Sequence, residues 1–369
     1  MSETVLAVSF RTLVRVSRGP DDGAVNTSER VLVYGAAGHT GRFVVDELLR
    51  RGLTPVVAGR SAERLAAADL PRGLEHRVAG VDEPELLRRA LSGVGAVVNC
   101  AGPFLDTALP LARAAVEAGA HYLDVTAEQP VVSDLYRELD APARAAGVAV
   151  VPAMAFYGGL ADLLVTAALD GTAAADEVAV AIGLDRWWPT AGTRATGARN
   201  TAVRRVIRGG RLVPLASPAP TGRWAFPEPI GDQAVVELPF SEVVTLDRHL
   251  AIGELRSYLN TGPLEDLRDP STSAPVAVDE GGRSAQRFVV DVVVRRASAT
   301  VRTGITGRDI YAVTAPIVVE GVLRLLDGSS RAVGAVAPGE AFDAGAVLAS
   351  LVREVDGVTM SSPSIAGHR

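Results

Sequence analysis

Val31-Leu32-Val33-Tyr34-Gly35-Ala36-Ala37-Gly38-His39-Thr40-Gly41 opens a unit that runs to Gly59-Arg60-Ser61. The first four residues are an apolar run of the kind that fills a buried parallel strand. Three glycines spaced three apart follow, at 35, 38 and 41. Beyond them Phe43, Val44, Leu48 and Leu49 share one helical face, with Arg42, Glu47, Arg50 and Arg51 elsewhere, and Gly52 ends the helix. Thr54 to Ala58 reads as a second strand. Strand, glycine turn, helix and strand make the βαβ unit that grips a dinucleotide. Gly35 permits the tight bend, Gly38 puts no side chain before a pyrophosphate, and Gly41 lets the helix lie against the strand. The amides and positive dipole end of the first helical turn then face the phosphates. Gly35, Ala37, Gly38, His39, Thr40 and Gly41 are therefore the expected cradle, in a spacing one residue longer than G-x-G-x-x-G.

The end of the second strand selects the cofactor. An NAD site places Asp or Glu there to hold the ribose 2′-hydroxyl. This chain has Gly59-Arg60-Ser61 and no acid before Glu63. A guanidinium there pairs with a 2′-phosphate through a forked, charge-assisted contact. Arg60 and Ser61 point to NADP(H), the alternative being a solvated arginine opening the next helix.

Composition excludes several classes. With 369 residues and 48% hydrophobic content the chain suits a two-domain α/β protein. No run approaches the length of a membrane helix, and no secretory pattern is evident, so no membrane partner is expected. The single cysteine, Cys100, forbids an intrachain disulfide and fits a reducing cytoplasm. A net charge of −6, with arginines scattered among acids, argues against a nucleic-acid partner. The sequence holds no lysine at all. Schiff-base chemistry through a protein amine and the Tyr-x-x-x-Lys pair of short-chain dehydrogenases are both excluded. No metal ligands are assigned.

In chain order, residues 1–29 read as a loosely held leader with room for one short strand at Val5–Val16. Leu74–Val78 is a third strand. Asp82 in the loop after it is a candidate contact for the adenine amine or a cap for a helix over Glu83–Leu91. Ala96–Asn99 is a fourth strand whose carboxyl end, Cys100-Ala101-Gly102-Pro103-Phe104, borders the ligand crevice of an open α/β sheet. Small residues there admit the cofactor, and Phe104 is placed to pack on ribose or nicotinamide. Cys100 reads as a buried small residue, since hydride transfer needs no thiol. Strands at His121–Thr126 and Val148–Val151, with helices between, complete a doubly wound parallel sheet. Thereafter Glu177–Ile182, Val235–Leu238, Glu242–Leu246, Arg287–Val294 and Ala299–Thr303 read as strands, Arg199–Ile207 and Asp309–Leu326 as helices, and Ser361–Arg369 as a disordered tail. The fold class expected is α/β, a Rossmann-type N-terminal domain followed by an α+β domain.

These stretches carry a resemblance. Tyr34-Gly35-Ala36-Ala37-Gly38-His39-Thr40-Gly41, Ala58-Gly59-Arg60-Ser61, Val98-Asn99-Cys100-Ala101-Gly102-Pro103-Phe104 and His121-Tyr122-Leu123-Asp124-Val125-Thr126 resemble the saccharopine dehydrogenase-like NADP-binding superfamily, as does Gly334–Gly339 near the C-terminus. The resemblance covers residues 30–155 well and 300–350 loosely. It implies an NADP-binding domain at 30–155, an α+β substrate and dimerisation domain at 156–330, and a segment at 331–369 returning toward the first domain. It also implies NADPH-linked reduction of a C=N or C=C bond in a small-molecule or carrier-bound substrate. The chain departs from the family after the sixth strand, where Ala153–Asp162 replaces a Gly-Phe-Asp turn and Pro-Ser-Asp, and at Ala127-Glu128, where Gly-Glu is common. Tyr157, just past the sixth strand, is the candidate proton donor or else a wall residue. Asp162 is open between cap, structural pair and substrate contact, and Trp187-Trp188 between pocket and core. The rival reading is a regulator that binds NADP without turning it over. A homodimer through the second domain is compatible with either.

Overall fold

A computed structural model describes residues 29–367. The expected leader, with its strand at Val5–Val16, lies outside the described residues except for Glu29. The first unit alternates β1 (Arg30–Tyr34), α1 (His39–Arg50), β2 (Thr54–Gly59), α2 (Ala62–Ala67), β3 (Glu75–Val78), α3 (Pro84–Ala90), β4 (Ala96–Asn99), α4 (Phe104–Glu117), β5 (His121–Asp124), α5 (Gln129–Ala146), β6 (Ala149–Val151) and α6 (Gly159–Ala168). The strands pair in parallel in the order β3-β2-β1-β4-β5-β6, and Gly334–Ala335 adds a seventh beside β6. Both faces are covered, which is why β1 does not alternate. Val31 and Val33 pack with Val44, Val45 and Leu48 of α1 on one side. Leu32 and Tyr34 join Leu111 and Ala115 of α4 on the other. This is the doubly wound order that puts a ligand crevice at the carboxyl ends of β1 and β4.

The second unit is a mixed ten-stranded sheet among the described residues. Ala174–Leu184 runs at its centre, parallel to Ala251–Asn260 and antiparallel to Arg287–Arg296, which pairs in turn with Ala299–Arg308. Val178, Val180, Ile182, Val290 and Val292 share a core with Leu160, Leu163 and Leu164 of α6. That helix therefore belongs to both units and fixes one against the other.

Four expectations need correction. Glu242–Leu246 is not a strand but the start of a helix, Glu242–His249. Its Val243, Val244 and Leu246 are buried together, and a short apolar run fits either element. The expected helix Arg199–Ile207 splits into a helix at Ala191–Arg199 and a strand, Arg205–Arg208, that hairpins onto Arg211–Pro214. Gly209 and Gly210 at that turn both have positive φ, +56° and +72°, the chemistry of a tight hairpin. Asp309–Leu326 becomes helical only from Thr314. The tail does not stay free, for Ser364–Gly367 pairs antiparallel with Ala299–Arg302. An open sheet edge supplies backbone partners that composition does not reveal.

Asp162 resolves as a structural pair. It is fully buried on α6, with Oδ1 3.0 Å from His249 Nε2 and accepting the Thr166 hydroxyl at 3.2 Å. Gly339 packs so closely on this cluster that any Cβ there would strike Thr166 and Asp162. Burial pulls the His249 imidazole down, but Asp162, by charge and hydrogen bond, holds it above its ordinary value. A raised folded-state pKa gives stabilisation that is complete below about 6.5 and lost as pH rises through the raised value. Asp162→Asn should therefore lower stability more at pH 5.5 than at pH 8.5, measured by urea unfolding. An equal loss at both pH values would show that Asp162 does not raise the His249 imidazole.

Candidate functional site

A cavity of about 620 Å³ runs from the glycine turn across the carboxyl ends of β1, β2, β4 and β5 to the inner wall of the second unit. Its first end is backbone. Gly35 has φ +84°, and a Cβ on it would lie 2.8 Å from the Ala101 nitrogen of the neighbouring loop. A Cβ on Gly41 would overlap the Gly35 carbonyl. Gly38 occupies the N-cap position of α1 and borders the cavity with Ala37, His39 and Thr40. No side chain caps this helix and its first turn holds no acid. Its leading N–H groups thus remain open to an anion. The His39 ring stands edge-on to Phe43 and to Tyr311, both at 5.3 Å, so His39 serves the turn by its backbone.

Arg60, the residue after β2, is exposed to the cavity, and Arg64 in the first turn of α2 lines the same wall. Neither forms an ion pair among the described residues. Ser61 Oγ caps α2 by accepting the Arg64 N–H at 3.2 Å, which leaves its own proton to donate. Arg64 escaped the sequence reading, although a Ser61 cap fixes the helix start and so faces Arg64 the same way. Asp82 is exposed at the cavity rim and caps nothing; Glu83 holds the N-cap position and accepts the Gly80 N–H at 2.7 Å. An open run of amides followed by two uncompensated guanidiniums fits a pyrophosphate and a further phosphate.

Beyond β4 the floor is pinned by hydrogen bonds. Asn99 Oδ1 accepts the Ala101 N–H at 3.0 Å, and Asn99 Nδ2 donates to Tyr122 Oη at 3.1 Å. Tyr122 donates to Asp124 Oδ2 at 3.0 Å, and Asp124 Oδ1 accepts the Thr126 and Ala153 amides at 3.1 and 2.8 Å. One buried network thus holds the exits of β4, β5 and β6 in register. Cys100, Ala101, Gly102, Pro103 and Phe104 all border the cavity here. Burial, reinforced by Asp124, pushes the Cys100 thiol far up, so it offers no thiolate.

The far half brings together residues the sequence left scattered. Tyr157 lies against Phe240, ring centroids 4.3 Å apart, and stacks on Trp187 at 5.6 Å. Its hydroxyl is buried without a hydrogen-bond partner among the described residues, and burial pushes its pKa well above the ordinary phenol value. Trp187 donates to Tyr311 Oη at 3.0 Å, and that oxygen lies 2.9 Å from Thr193 Oγ1. Arg199 on the same helix as Thr193 reaches Asp106 of α4 at 3.0 Å, joining the two walls.

Two further lining groups had no role in the sequence reading. Glu128 is 2% exposed, borders the cavity beside Phe104, and leaves Oε1 without a hydrogen bond. Burial raises its carboxyl to about 7, against the pull of the Thr126 hydroxyl and the Phe104 amide. Arg204 stacks its guanidinium over Phe240 at 5.0 Å. Glu128 was visible only as the glutamate of a motif whose glycine is replaced by Ala127, with no role given to it, and Arg204 sat in a segment read as helix.

The profile of the saccharopine dehydrogenase NADP binding domain matches residues 31–151. Saccharopine dehydrogenase-like oxidoreductases are similar, that of Homo sapiens at 28% identity over 53% of this chain and 52% of its own length. That of Bos taurus is 29% identical over 36% of this chain and 35% of its own length. The trans-acting enoyl reductase of Mycobacterium bovis is 33% identical over 27% of this chain and 25% of its own. The chain thus spans a quarter to a half of these curated relatives. Among solved structures, apo saccharopine dehydrogenase (L-Glu forming) of Saccharomyces cerevisiae superposes with a TM-score of 0.65, covering 90% of this chain and 100% of that one at 13% identity. No helix among the described residues is long and apolar enough to cross a membrane. Residues 31–151 thus match the saccharopine dehydrogenase NADP binding domain, and the overall fold is like that of the yeast saccharopine dehydrogenase.

Proposed function

We propose that the protein is an NADPH-dependent reductase acting on a C=N or C=C bond of a small-molecule or carrier-bound substrate. The observation that carries the reading is the continuity of one cavity from the glycine turn to an aromatic wall in the second unit. The names of its relatives, oxidoreductase and enoyl reductase, support the class of chemistry. A sensor of NADP needs the first half of this cavity and has no use for the second.

When bound, the cofactor supplies a hydride. The chain's own residues supply the rest. The open amides of His39 to Gly41 hold the pyrophosphate, Arg60 and Arg64 the 2′-phosphate, and Asp82 the adenine end. Gly102 to Phe104 leave room for the nicotinamide at the exit of β4. Tyr157, Trp187 and Phe240 keep water from the substrate side. Tyr157 is open from sequence between donor and wall residue; burial raises its phenol further, which favours the wall, and we assign the donor role to Glu128. A carboxyl with a pKa near 7 is protonated in a useful fraction of molecules at neutral pH and gives its proton readily.

Gly38→Val should weaken NADPH binding by on the order of a hundredfold, roughly 2.7 kcal/mol, because the new side chain enters the space before the turn. The unfolding temperature should move little, and unchanged affinity in calorimetry would refute the phosphate placement.

Glu128→Gln should lower turnover by about 10²–10⁴-fold on an imine and enoyl-thioester panel, whereas Tyr157→Phe should stay within about threefold. The reverse ranking would restore Tyr157 as donor, and no substrate-dependent NADPH oxidation across the panel would favour the sensor.

The Glu128 carboxyl has a second readout in the unloaded protein. Its folded-state pKa lies above its ordinary value, so the native state loses stability as pH rises from about 4.5 to 7. Glu128→Gln should remove on the order of 2 kcal/mol of that decline. An unaltered pH–stability curve would mean the carboxyl is not raised.

A further inference from the structure

The reductase reading leaves the substrate unnamed, and the far half of the cavity narrows it. Four aromatic rings, Tyr157, Trp187, Phe240 and Tyr311, stand around that end. Such walls favour a flat apolar body, held by stacking and burial. Arg204 breaks the pattern. Its guanidinium is half-buried, lies over the Phe240 ring, and donates one N–H to the Pro239 carbonyl. It makes no ion pair among the described residues, the nearest carboxylate influence being the buried Glu242. Glu242 bonds through Oε1 alone, accepting the Phe240 amide at 2.9 Å and the Ser257 hydroxyl at 2.6 Å. Its Oε2 has no hydrogen bond among the described residues, it forms no ion pair with Arg204, and burial raises its carboxyl toward the neutral form. A partly buried cation with no contacting counter-charge is costly, and the usual remedy is a partner anion. Arg204 lines the cavity, and a guanidinium with N–H donors to spare can grip a carboxylate with two parallel hydrogen bonds.

We propose that Arg204 anchors the single carboxylate of a flat, unsaturated acid whose apolar body lies against Tyr157, Trp187 and Phe240. This inference rests on the reading of the far half as a substrate pocket. Among the described residues Arg204 is the one arginine lining that half, the other two lining arginines being Arg60 and Arg64 at the opposite end. A substrate with several carboxylates would leave charges without partners. One with an ammonium group would meet Arg204 unfavourably and find only Glu128 and Asp106 as lining acids on that side. One anion and one planar body match what is present.

Cinnamate and cinnamamide are matched probes, alike in shape and unsaturation and different in charge. Calorimetric titration of each into the protein, alone and saturated with NADP⁺, should show cinnamate binding at least about tenfold tighter, the scale of a charge-assisted fork. Arg204→Met should erase the preference and Arg204→Lys should keep part of it, because the charge remains while the fork is lost. NADP⁺ affinity, titrated in the same variants, should stay as in the parent and certifies their folding. Equal binding of the two probes, binding of neither, or a preference that survives in Arg204→Met would overturn the inference. Failure of the parent protein to bind NADP⁺ would instead sink the reductase reading, since the comparison of probes on unloaded protein stands without it.

Discussion

The site depends on one close approach. Gly35 meets the Cys100–Ala101 loop with no room for a Cβ, and Gly41 meets the Gly35 carbonyl in the same way. Backbone packed on backbone draws α1 down onto the sheet and aims its open amides along the cavity rather than into a side chain. Any residue but glycine at either position would push the turn off β4 or the helix off the turn. The buried chain from Asn99 through Tyr122 to Asp124 and the Ala153 amide then carries this register across three more strand exits. The floor of the site is thus set by hydrogen bonds among side chains, Asn99, Tyr122 and Asp124, that lie beneath the cavity lining.

Charge is distributed along the cavity in a way that gives each part a distinct task. Among the described residues two arginines without ion-pair partners stand at the β2 end, a carboxyl raised to about 7 lies in the middle, and one guanidinium stands at the far end among aromatic rings. Cations left unpaired in a protein whose net charge is −6 are not a by-product of composition. Most other arginines facing acids in this chain do pair with them, as Arg302 does with Asp291 and Arg51 with Glu320. The low local dielectric that raises Glu128 also strengthens whatever Arg204 grips, so the same burial that tunes the acid tightens the anchor.

The sequence made the first half of this arrangement legible and hid the second. Local rules suffice for a parallel strand, a glycine turn and an Arg60 in place of an acid, because each acts within a few residues. The far wall joins Tyr157, Trp187, Arg204, Phe240 and Tyr311, which meet only after a ten-stranded sheet has closed over α6. Nothing in the spacing of those residues announces it. The errors follow the same line. Val243-Val244-Thr245-Leu246 suited a strand until burial on all sides made it a helix, and the Gly209-Gly210 hairpin was swallowed by a helical pattern before it. Glu128 was legible as a residue but not as an acid, since its raised pKa comes from burial that tertiary packing creates.

The central claim is that cofactor and substrate share one cavity, with phosphates at the glycine turn and the reactive end beneath the aromatic wall. A crystal structure of the protein with NADPH tests it most directly. The account predicts the pyrophosphate on the amides of His39 to Gly41, the 2′-phosphate between Arg60 and Arg64, and the nicotinamide between Gly102–Phe104 and Glu128, facing Tyr157. A nicotinamide turned out to solvent, or a 2′-phosphate away from both arginines, would contradict it.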